Sequence, residues 1–264
     1  MALLFWPEDE RRLLDLLAIA MVLMGVVSFC FLLFINMPYG RYATSTFGPP
    51  VPVRWAWFFQ ELPSFALPVY FILQQPQVDT GKLILMGTFT LHYLHRTLIF
   101  PFFIRGGKPT PVFSFIMAFI FCCYNGYLQS SYLCRYATLT PEWFKDPRFI
   151  TGIVMFFGGM FINIHSDHIL RNLRKPGETG YKIPRGGLFD YVSGANFLGE
   201  IVEWSGFAVA GWSLPGAAFA IFTLLVLSSR AKQHHMLVTF YLDCSGPQAI
   251  QISDFFRFQN PMVP

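Results

Sequence analysis

From Leu13 to Ile35 the chain carries a single charged side chain, Asp15, and few folds can absorb a run of that kind. Crossing about 30 Å of hydrocarbon takes roughly 20 mostly apolar residues. Arg11 and Arg12 precede the run as they would in a signal peptide. The run nevertheless exceeds a signal h-region of about 7–15 residues, and no small-residue cleavage site follows it. It reads as a first transmembrane helix. Composition agrees: 54% of residues are hydrophobic and 13% charged, against about a quarter charged in soluble domains, so a soluble globular domain and a disordered chain are both excluded.

Six further apolar stretches follow, at 55–74, 83–103, 112–133, 149–164, 191–212 and 214–229, with prolines and glycines at the joins. The expected fold is an all-α integral membrane protein, a seven-transmembrane-helix bundle without internal repeats. Seven spans put the termini on opposite sides, and the basic residues choose the orientation. Twelve of them (Arg41, Arg54, Arg105, Lys108, Arg171, Arg174, Lys175, Lys182, Arg185, Arg230, Lys232 and Arg257) fall on the side of the C-terminus and six on the other, with Arg96 inside a span. The C-terminus is expected in the cytosol. A net charge of +4 distributed in this way is no nucleic-acid-binding tract. The five cysteines show neither a disulfide framework nor paired CxxC spacing and read as small apolar residues of helices.

Charges inside spans are costly unless they face an interior and find partners, so each marks a candidate site. Glu61 lies in the second span, where Trp57, Gln60, Glu61, Ser64 and Pro68 share a helical face. Pro63 leaves the Phe59 carbonyl without its helical donor. The alternative is a carboxyl that reaches the membrane surface. In the third span Phe89, His92, Tyr93 and Arg96 share a face, and a phenol beside a desolvated acid makes a proton-donating pair. His92 and His95 lack the spacing of a metal site, and none is expected; a hydrogen-bonded helix contact is the plainer reading of an intramembrane histidine. Asn125 and Gln129, one turn apart, suit either helix-to-helix hydrogen bonding or ligand contact.

The densest polar segment is NIHSDHILRNLRKPGETGYKIPRGGLFDYVSGANFLGEIVEW. Asn163, Asp167, Leu170, Arg171 and Arg174 form a helical stripe suited to a phosphorylated, ribose-containing ligand: Asp accepts from sugar hydroxyls and Arg grips phosphate with two prongs. The glycines that follow permit close backbone approach, although no GxGxxG dinucleotide fingerprint is present. A solvated basic loop would explain the arginines, but not Asn163, Asp167, Asn196 and Glu200. Asn196, Glu200 and Glu203 form a second stripe, and Arg230 with His234 a third. These groups describe a membrane-embedded cavity, apolar on the lumenal half, where an apolar substrate meets an anionic cofactor from the cytosol.

The segments WFFQELPSFALP, LHYLHRTLIFPFFIRGGKP, CYNGYLQS, DPRFITG, the long polar segment above and SSRAKQHH closely resemble the 3-oxo-5-alpha-steroid 4-dehydrogenases, the steroid 5-alpha-reductases, over residues 39–235. The resemblance implies an endoplasmic reticulum membrane enzyme that uses NADPH to reduce the 4,5 double bond of 3-oxo-4-ene steroids, with no obligate protein partner evident. It implies that Glu61 and Tyr93 hydrogen-bond the steroid C3 ketone. Asn163, Asp167, Arg174, Tyr181, Asn196, Glu200, Arg230 and His234, joined by Arg96, Arg105 and Tyr39, match cofactor contacts; Trp57, Gln60, Trp204, Phe219 and Phe222 match the sterol lining, for which ordinary interhelical packing is the alternative. After His235 the sequence departs from the family pattern, dividing the chain into a helical domain, 1–235, and a divergent tail, 236–264. The tail raises the rival of a non-catalytic isoform that binds steroid or a partner, and another lipid enone or enoyl substrate is the enzymatic rival.

Overall fold

The computed structural model describes residues 7–36, 40–75, 79–174, 178 and 182–244. Tyr39, Tyr181 and the tail beyond 244 therefore lie outside the described residues. Among the described residues eight α-helices carry the fold: α1 Pro7–Leu32, α2 Val53–Leu73, α3 Thr80–Leu94, α4 Phe100–Phe103, α5 Val112–Arg135, α6 Pro147–Asn172, α7 Ala195–Gly211 and α8 Leu214–Cys244. Five of them, α1, α2, α5, α6 and α8, are long and apolar enough to cross a membrane. α3 and α7 fall short of that length with 15 and 17 residues. The all-α membrane architecture holds, and among the described residues five helices meet the length and apolarity of a span.

Several boundaries move outward from the apolar stretches. α6 continues to Asn172 and α8 to Cys244, because Asn163, Asp167 and Ser229 interrupt the hydropathy while pointing into the molecule, where they are buried. α3 runs into α4 through a π-turn, His95–Ile99. Pro101 explains the turn: it has no N–H for the Thr97 carbonyl, and the Phe100 N–H reaches back five residues to His95 O. A two-residue antiparallel pair, β1 Pro50–Val51 with β2 Thr110–Pro111, starts α2 and α5 from one edge.

α6 and α7 approach closely through glycines. A Cβ on Gly159 would lie 2.3 Å from Glu203 N, one on Gly199 2.5 Å from Asn163 N, and one on Gly206 2.5 Å from Gly152 O. Small residues of this kind let helix backbones touch where lipid supplies no hydrophobic drive. α2 meets α5 at Gly126, where a Cβ would come within 3.1 Å of the Pro63 carbonyl, and Ser64 Oγ donates to Cys122 O at 2.9 Å. α1 lies against α8. The far end of α1 is pinned by Glu10, whose carboxylate accepts from Tyr127, Ser131, Arg135 and Tyr136. The shared core is strongly aromatic, with Phe89, Tyr93, Phe156, Trp204, Phe207 and Phe219 buried together.

Candidate functional site

α2, α3 and α5 bring the second-span carboxylate and the third-span phenol to one place. Glu61 Oε1 accepts from Gln60 Nε2 at 3.1 Å, and the Cys122 thiol of α5 lies 3.6 Å from Oε2. One turn along α5 from Cys122, Asn125 Nδ2 donates to the Tyr93 hydroxyl at 3.4 Å. Gln129 in turn donates to Asn125 Oδ1 at 3.2 Å and to Pro215 O at 2.9 Å. This chain fixes the Asn125 amide so that its NH₂ group faces Tyr93. The phenol oxygen already accepts from Asn125, so the phenol's own hydrogen is left to point elsewhere. Ser64 of α2 also neighbours Tyr93, and rings cover much of its side chain: Phe89 at 4.8 Å, His92 at 5.0 Å and Trp204 at 5.8 Å between centroids.

A second cluster sits one turn beyond, on the π-turn. Arg96 Nη1 donates to Asp167 Oδ2 at 3.0 Å and Nη2 to Glu200 Oε2 at 2.6 Å. Its guanidinium lies over Trp57 and Phe100, 5.6 and 5.0 Å from their centroids. Asn163 Nδ2 donates to Asn196 O at 2.9 Å and approaches Glu200 Oε2 at 3.5 Å. Arg96, Asn163, Asp167, Asn196 and Glu200, expected on three separate stripes, thus form one network at the junction of α3, α6 and α7. Two carboxylates on one guanidinium leave that guanidinium little affinity for a further anion, so within this network the carboxylates and amides face hydroxyl chemistry.

Further basic side chains lie to either side. Arg230 stacks over Phe197, 4.6 Å from its centroid, and His234 lies 5.5 Å from the same ring, beside the N-terminus of α7. A helix N-terminus flanked by such groups is suited to phosphate. At the end of α6, Arg105 Nη1 donates to Asn172 Oδ1 at 3.0 Å, and Arg171 lies over Phe103. Arg174 is exposed just past the helix. The stripe drawn from Asn163 to Arg174 therefore divides: Asn163 and Asp167 are buried, whereas Leu170 is 37% exposed.

Among the residues expected to line an apolar pocket, Gln60, Trp204 and Phe219 are buried. Trp204 packs 4.5 Å from Phe219, Trp57 lies 5.0 Å from Phe100, and Phe222 stacks on Phe121 at 4.5 Å. Two polar groups were not singled out by the sequence, Cys122 and Glu10. Cys122 reads from composition as a small apolar residue, although its position one turn before Asn125 places it on the same face. His92 forms the expected helix contact, to Glu203 at 2.7 Å, a partner that spacing alone could not supply. Glu10 lay in the polar entry to the first run, where a carboxylate reads as solvated.

A family model described as 3-oxo-5-alpha-steroid 4-dehydrogenase matches residues 108–242. The chain is 51% identical over 260 residues to 3-oxo-5-alpha-steroid 4-dehydrogenase 1 of Bos taurus, covering 97% of both chains. It is 54% identical to the Mus musculus protein of the same name over 86% of this chain and 90% of that one. Against the Homo sapiens protein it is 53% identical over 86% and 88%. The chain belongs to the 3-oxo-5-alpha-steroid 4-dehydrogenase family.

Proposed function

We propose that the protein reduces the 4,5 double bond of 3-oxo-4-ene steroids such as testosterone and progesterone, with NADPH as reductant. The observation that carries this reading is the oriented chain Gln129–Asn125–Tyr93 facing the Glu61 carboxyl across one turn of α5. Tyr93 and Glu61 donate hydrogen bonds to the C3 ketone. Those bonds strengthen as negative charge reaches the ketone oxygen during addition at C5, so they stabilise the transition state more than the bound ketone. Protonation at C4 then completes the reduction. Trp57, Gln60, Trp204, Phe219 and Phe222 surround the apolar steroid body.

NADPH supplies the hydride. The donor set fits it: Arg230, His234 and the α7 N-terminus for phosphate, with Arg105 and Arg174 beyond, and Asp167, Asn163, Asn196 and Glu200 for ribose hydroxyls. Arg96 neutralises the Asp167 and Glu200 carboxylates, and Tyr181 and Tyr39 complete the proposed contacts. The protein resides in the endoplasmic reticulum membrane as a seven-span bundle, with α3–α4 and α7 as the two short spans and its C-terminus and cofactor cavity toward the cytosol.

The test is product formation by purified protein supplied with NADPH and testosterone. Wild-type protein is expected to form the 5-alpha-reduced steroid. Tyr93→Phe, which removes a donor, and Glu61→Gln, which replaces an acidic O–H donor with a weaker amide N–H, are each expected to lower kcat/KM by about 100-fold, the scale of losing one oxyanion donor. Unchanged turnover in either variant would overturn the donor role. Steroid binding without product from the wild type would establish the non-catalytic isoform instead.

A further inference from the structure

On α3, the residue before Tyr93 makes a buried polar contact that the proposed reaction does not use. His92 Nδ1 lies 2.7 Å from Glu203 Oε1, with the two side chains 5% and 0% exposed. The other carboxyl oxygen, Glu203 Oε2, has no hydrogen-bond partner among the described residues. A carboxyl group held this dry, with one oxygen unpaired, carries a desolvation cost that its single contact to His92 only partly offsets. The Glu203 backbone is closely packed: a Cβ on Gly159 of α6 would lie 2.3 Å from Glu203 N and 2.7 Å from its Cα. The His92 ring, fixed by that carboxyl, fills the space between Trp204 at 4.6 Å and Tyr93 at 5.0 Å.

Tyr93 therefore sits between two ties from α3 and its π-turn to α7. On one side His92 holds Glu203; on the other Arg96 holds Glu200, one turn earlier on α7. We propose that His92 and Glu203 are a positioning pair that sets the Tyr93 phenol against the substrate ketone, acting on the hydride step rather than on steroid or cofactor affinity. The proposal rests on the Tyr93 role given above. Neither residue touches the reacting atoms in it.

The experiment compares full-length protein with the double variant Glu203→Leu/His92→Phe, which removes both polar groups at similar volume. Deleting a buried pair together leaves no orphaned charge, so the variant is expected to fold as well as the wild type by thermal unfolding. It is expected to lose about 100-fold in kcat, the scale of a 1 Å misplacement, while KM for steroid and Kd for NADPH stay within about threefold. The primary isotope effect with NADPH deuterated at C4 should rise as hydride transfer becomes rate-limiting. Glu203→Gln keeps an acceptor for His92 and is expected to retain most of kcat. A folded double variant with wild-type kcat would overturn the proposal.

A second readout is independent of turnover. With 3-fluorotyrosine at position 93, the fluorine resonance is expected to be one sharp line in the wild type and a broadened or split line in the double variant. A single sharp line in both would overturn the positioning role. Absence of product from the wild-type protein would count against the proposed reaction, and the fluorine line would still decide whether the pair holds Tyr93 in place.

Discussion

Arg96 shows how much one intramembrane charge can organise. Its two ion pairs join the π-turn after α3 to α6 and α7. Arg96→Met is expected to destabilise the fold by about 3–5 kcal/mol, because it strands Asp167 and Glu200 without their cation; thermal unfolding in detergent checks this. Asn125 makes a smaller prediction. Asn125→Leu removes the donor that orients the Tyr93 hydroxyl, and the loss of one neutral hydrogen bond of about 1 kcal/mol translates to roughly a fivefold fall in kcat. Steady-state kinetics would show it, and an unchanged kcat would mean the amide chain does not orient the phenol. At this scale, the grouping of Asn163 with Asp167 and of Asn196 with Glu200 was legible, since residues one turn apart share a helical face. The partners across helices were not. Nothing in the spacing of His92 specifies Glu203, and nothing near Glu10 specifies Tyr127 or Arg135.

Helix existence was legible from apolar runs, and helix ends were not, for a physical reason that α6 illustrates. Hydropathy falls at Asn163 and Asp167, yet both side chains are buried against α7 and α3 and the helix runs on to Asn172. The close α6–α7 contact makes the glycines testable. Gly159→Ala places a methyl within 2.3 Å of backbone, and such overpacking is expected to cost about 1–3 kcal/mol or more. By contrast, Gly158→Ala meets nothing within 4 Å and is expected to leave the melting temperature unchanged.

At the start of α6, Asp146 accepts from the Arg148 backbone and guanidinium at 2.8–2.9 Å, and the Arg148 contacts hold its carboxyl below the ordinary carboxylate range. A depressed folded-state pKa means that its contribution is present above the unfolded value and lost as pH falls through the folded one. Asp146→Asn should therefore lower the melting temperature at neutral pH, and the difference from wild type should close under acid conditions. A difference that stayed constant with pH would refute the capping account.

For the molecule as a whole, the ends of the bundle differ in kind. Glu10, Tyr127, Ser131, Arg135 and Tyr136 close one end of α1 and α5. The opposite end of α8 is tied to α1 by Gln233, which donates to Leu32 O and Ile35 O. Basic residues gather at that second end. If it faces the cytosol, a glycosylation acceptor appended after Pro264 stays unmodified, whereas one placed before Pro7 is modified; the reverse pattern would invert the topology. With NADPH deuterated at C4 and testosterone as substrate, the purified protein is predicted to yield a product carrying deuterium at C5 in the alpha configuration, at a rate about 100-fold lower in Glu61→Gln. Deuterium at another carbon, or a Glu61→Gln variant that labels C5 at the wild-type rate, would contradict it.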